Sequence, residues 1–115
     1  MARYTCLFTV GISLKNLQQV LIEVLESCHL EVIYDTGDYM MAREISGAVA
    51  FAKLVTVEVL IDKTIATDDE IKMNFVIKNE ELPLQVSNHC RTMFDKVIQT
   101  VQESKSWRLI ETVSG

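Results

Sequence analysis

The stretch that decides the fold reads Val55-Thr56-Val57-Glu58-Val59-Leu60-Ile61 and, after a polar run, Ile71-Lys72-Met73-Asn74-Phe75-Val76-Ile77. In both segments apolar side chains fall on every second residue, the mark of a strand with one dry and one wet face. Between them, Lys63-Thr64-Ile65-Ala66-Thr67-Asp68-Asp69 is polar and acidic enough for the tip of a ribbon. Folding back about Ala66 sets Ile61 across from Ile71, Val59 from Met73, Val57 from Phe75 and Val55 from Ile77. A slip of one residue would place half of these side chains in water. The other face then carries Thr56 and Glu58 against Lys72, Asn74 and Lys78. Glu58 with Lys72 as its diagonal neighbour is expected to form a cross-strand ion pair.

Working outward, Tyr4 to Val10 reads as a first strand with Tyr4, Cys6, Phe8 and Val10 on one side, ended by Gly11. Ser13 is placed to cap a helix whose buried stripe is Leu14, Leu17, Leu21, Val24, Leu25 and Cys28. Leu30 to Asp35 and Tyr39 to Ile45 read as short strands joined by the turn Asp35-Thr36-Gly37-Asp38. The central ribbon is expected to run from about Val49 to Asp62 and from Glu70 to Asn79. Glu80 to Val86 holds the only proline and reads as a connector. Ser87 then caps a second helix with the stripe Cys90, Met93, Phe94, Val97, Ile98 and Val101. Trp107, Leu109, Glu111 and Val113 alternate into a last strand.

The predicted order is strand, helix, four strands, helix, strand. Two helices and a ribbon, each with one dry face, are buried most simply as an α+β two-layer sandwich. Both helices lie on one face of a mainly antiparallel sheet. Its other face carries Leu54, Leu60 and Val76, apolar enough for self-association.

A chain of 115 residues, 49% of them apolar, reads as a single α+β domain over 1–115. The formal charge of -5, with Lys and Arg scattered singly, argues against nucleic acid or an anionic membrane as partner. No apolar run approaches the ~18 residues of a membrane span, and the N-terminus passes directly into a strand without a signal-peptide pattern. Three cysteines, two of them on apolar stripes, are expected to be reduced thiols in a cytoplasmic protein.

Candidate chemistry is sparse. Cys28-His29 and His89-Cys90 are four good zinc ligands, but neighbours on one helix diverge by ~100°. Buried small hydrophobes account for both cysteines equally well. His89, near a helix start, could work as an acid–base pair with Glu80 or Glu81; a solvated histidine in a first turn is the competing account. Glu58 and Glu70 could form a carboxylate pair. Tyr34, Tyr39, Met40 and Met41 could mark an apolar recognition edge, and Trp107 suits core or interface packing. The sequence contains no nucleophile elbow, phosphate-cradling glycine loop, H-E-x-x-H or EF-hand spacing, and no cofactor is expected.

The segments Lys53-Leu54-Val55-Thr56-Val57-Glu58-Val59 and Lys78-Asn79-Glu80-Glu81-Leu82-Pro83-Leu84-Gln85, followed by Asn88-His89-Cys90, resemble a small uncharacterised protein family of cyanobacteria. That resemblance implies no activity and carries no site residues. At fold level, a long hairpin with a helix near the C-terminus also looks like a reduced START-type grip, from which the strand after the last helix departs.

Three functions fit. The leading one is a non-catalytic protein-interaction or self-associating module, its partner another protein or itself, met through Leu54, Leu60, Val76, Leu82 and Leu84. The second is a small apolar-ligand-binding domain with a pocket between the second helix and the hairpin at Met73, Phe75, Met93 and Phe94. The third is a small enzyme using His89 with Glu80 or Glu81.

Overall fold

A computed structural model describes residues 1–47, 49–64, 66–67, 70–82 and 88–114. The chain forms β1 (Ala2–Gly11), α1 (Leu14–Ser27), β2 (Leu30–Asp35), β3 (Tyr39–Glu44), a 3-10 turn (Phe51–Lys53), β4 (Thr56–Asp62), β5 (Ile71–Asn79), α2 (His89–Glu103) and β6 (Arg108–Ser114). Among the described residues, six strands make one open antiparallel sheet in the order β2-β3-β4-β5-β1-β6. The fold is the α+β sandwich its periodicities predict.

The dry face is assembled from alternate residues of the central strands. Cys6, Phe8 and Val10 of β1, Val57, Val59 and Ile61 of β4, and Ile71, Met73, Phe75 and Ile77 of β5 are all buried. Leu17, Leu21, Val24 and Leu25 of α1 and Cys90, Met93, Phe94, Val97 and Val101 of α2 join the same core. Phe8 meets Phe75 edge-to-face with ring centroids 5.3 Å apart, a favoured aromatic geometry. Trp107 is buried just ahead of β6 and its indole Nε1 donates to the Val101 carbonyl over 3.1 Å.

The ribbon departs from expectation in register. Val57 pairs with Ile77, Val59 with Phe75 and Ile61 with Met73, two residues away from the pairing about Ala66. A two-residue slip keeps every side chain on its own face, so burial alone could not distinguish the two registers. The shift replaces Lys72 by Lys78 as the diagonal partner of Glu58, and the ammonium lies 2.6 Å from the carboxylate. The first arm is also shorter than predicted. Residues Phe51–Lys53 form a 3-10 turn rather than strand, with Phe51 85% exposed.

Both helix starts differ in detail from expectation. Ser13 occupies the N-cap position of α1, but its carbonyl, not its hydroxyl, bonds the first turn, accepting from the amides of Asn16 and Leu17. Leu14, expected in the stripe, is exposed. At α2 the N-cap is Asn88, whose Oδ1 accepts from the Arg91 amide over 3.0 Å; Ser87 lies outside the described residues. Asn88 Nδ2 also donates to the Tyr4 hydroxyl at 2.6 Å, fastening α2 to β1.

The two faces should answer differently to truncation. Phe75→Ala should cost about 3–5 kcal/mol in urea unfolding, whereas Leu60→Ala on the helix-free face should cost less than about 1 kcal/mol. A larger loss at Leu60 than at Phe75 would contradict the assignment of the two faces.

Candidate functional site

Two regions gather functional groups: a polar cluster at the start of α2, and the face of the sheet opposite the helices. The first is built by backbone needs. The opening amides of any helix lack intrahelical partners, and here a glutamate from the preceding segment supplies them. Glu81, only 5% exposed, accepts from the His89 amide at 3.1 Å and from the Cys90 amide at 2.8 Å. Asn79 Nδ2 donates to the same carboxylate at 2.6 Å and to the Lys53 carbonyl at 3.0 Å, while Asn79 Oδ1 accepts from the Glu81 amide. Burial pushes the Glu81 carboxyl upward, but bonds from Asn79, Cys90 and His89 and the charge of Lys53 outweigh it and hold it below the usual range.

The His89 ring has a different partner. Its Nε2 lies 2.8 and 2.9 Å from the two oxygens of Glu44, a residue only 5% exposed. Glu44 also accepts from the Val55 amide at 3.1 Å. Of the expected acid–base partners, Glu81 touches His89 only through its backbone, and Glu80 lies exposed beside a cleft that includes Arg43 and Phe51. One local signal marks Glu44, which occupies the inward position after Met40 and Ala42 on β3, where an acid at the end of a dry stripe requires a buried partner; nothing local identifies His89 as that partner. His89 lines none of the described clefts. The cluster thus ties the β3–β4 connection, the end of β5 and the start of α2 together.

The zinc constellation does not assemble. Cys28 is buried with its Sγ 3.3 Å from the Thr100 hydroxyl, whereas Cys90 lies in the first turn of α2. Thr100 lies ten positions along α2 from Cys90, about 15 Å at 1.5 Å per residue, far beyond any shared ligand sphere or disulfide. His29 caps the exit of α1 in the left-handed region, at φ 67°, and is exposed. Among the described residues no group of three or more His, Cys, Asp or Glu is placed to hold a metal. Burial, reinforced by the Glu81 charge, pushes the Cys90 thiol up to about 12. Burial also raises the Cys6 thiol. Both stay protonated at neutral pH and are poor nucleophiles.

The four residues expected around a ligand pocket, Met73, Phe75, Met93 and Phe94, are buried in the core between α2 and the ribbon. They line none of the described clefts. The largest of those clefts, about 630 Å³, opens instead on the helix-free face, where Leu7, Tyr39 and Leu60 are ringed by Asp38, Asp62 and Lys72.

On that face Leu60 is 45% exposed and Val76 is buried among its strand neighbours. Leu54 is half-buried beside Phe51 and Arg43 at its margin. Leu82 is 70% exposed, and Leu84 lies outside the described residues. Of the first-hairpin residues, Met40 is buried in the core, while the Tyr34 and Tyr39 rings meet at 6.0 Å on the open side. Glu58 anchors this face, taking the Lys78 ammonium and the Tyr39 hydroxyl together. The bonds from Lys78 and then Tyr39 lower the Glu58 carboxyl, and the bond to Glu58 raises the Tyr39 phenol to about 12.

Neither a scan against protein-family models nor a search of curated proteins finds a match.

The Glu81 cap has a signed pH dependence. A carboxyl held below its usual 4.5 stabilises the fold above that pH, and the contribution fades as pH falls through the folded value. Glu81→Gln should therefore cost about 1–3 kcal/mol at pH 7, and the gap from wild type should narrow on acidification. Urea midpoints measured across the acid range check this; a gap that widens toward low pH would refute it.

Proposed function

We propose that this chain is a non-catalytic protein-interaction module that presents the helix-free face of its sheet to a partner. The observation that carries the reading is the division of polar and apolar groups between the two candidate regions. At the start of α2 the charged side chains are consumed in fastening backbone, and His89 opens onto no described cleft. On the helix-free face, Leu7 and Leu60 flank Asn74 in a broad concavity with charges at its border. That is the anatomy of a recognition surface, an apolar centre with a polar rim.

A protein partner accords with the acidic net charge of -5, which disfavours a polyanion. Among the described residues no helix is long and apolar enough to cross a membrane. Cys6, Cys28 and Cys90 are free and buried, which suits a cytoplasmic setting. The cyanobacterial resemblance brings no activity to weigh against this reading.

Site-specific photo-crosslinking in the cells of origin tests it. A photoreactive side chain at Leu60 should give a discrete adduct, while one at Gln99, on the exposed side of α2, should give none. Adducts at Gln99 with none at Leu60 would move the interaction to the helical layer and end the proposal.

A further inference from the structure

We draw no further inference here: the strongest candidate, the patch of Leu7, Leu60 and Val113 on the helix-free face of the sheet, belongs to the surface already described, and nothing in the structure shows what covers it.

Discussion

Everything in this structure depends on the burial of one side of β5. That strand lies between β4 and β1, and its inward residues Ile71, Met73, Phe75 and Ile77 are fully buried. Met73 and Phe75 each face a buried partner on both sides: Phe75 stands between Val59 and Cys6, and Met73 between Ile61 and Phe8. Such a row cannot be sealed by strands alone, because a sheet has a second layer only where something covers it. The helices supply that layer, and their positions follow from the strands they join. α1 carries the chain from β1 to the far edge strand β2, and α2 steps over β1 from β5 to β6. Both crossings pass over the dry side.

The cost of ending a helix inside this layer explains the buried acids. The start of α2 sits against β1 and β5, where water cannot serve the opening amides. Asn88 takes the Arg91 amide, and Glu81 takes those of His89 and Cys90. A carboxylate is a strong acceptor for amides at the positive end of a helix. Its own desolvation is offset by Asn79, which both donates to Glu81 and accepts from its amide. Glu44 does the equivalent at the β3–β4 connection, holding the Val55 amide and the His89 ring together. These groups would look like chemistry if read singly. Taken with their partners, they are the polar fastening of three chain segments.

What the sequence disclosed, and what it did not, follows from the range over which each signal acts. Alternation and three-four spacing are local, so the strands, both helices and the inward residues were legible. Register is not local: a ribbon that pairs Val59 with Phe75 and one that pairs it with Met73 bury the same side chains. Only the course of the turn selects between them. The Glu58–Lys78 pair was misassigned for that reason alone. Glu44 and His89 are separated by 45 residues and meet only after β3 and α2 are placed, so no spacing rule announces them. The zinc set failed in the opposite direction. Two mirror-image dipeptides look paired in one dimension, yet Cys28 and Cys90 are set along the length of α2 from each other.

The two faces of the sheet also differ in what they ask of the sequence. On the helix side, apolar residues are dictated by the fold and carry no information about partners. On the open side, water would be satisfied by an unbroken polar set, as antiparallel sheets with one wet face usually show. Instead Leu7, Leu60 and Val113 fall in one row, and Val76 lies in the next. Lys78, Glu58 and Tyr39 are bound to one another rather than left to move freely. Fixing charged side chains in place lowers the entropy lost when a partner arrives. Leucines flanked by restrained charges are the features on which the proposed partner surface rests, and the fold on the helix side does not require them.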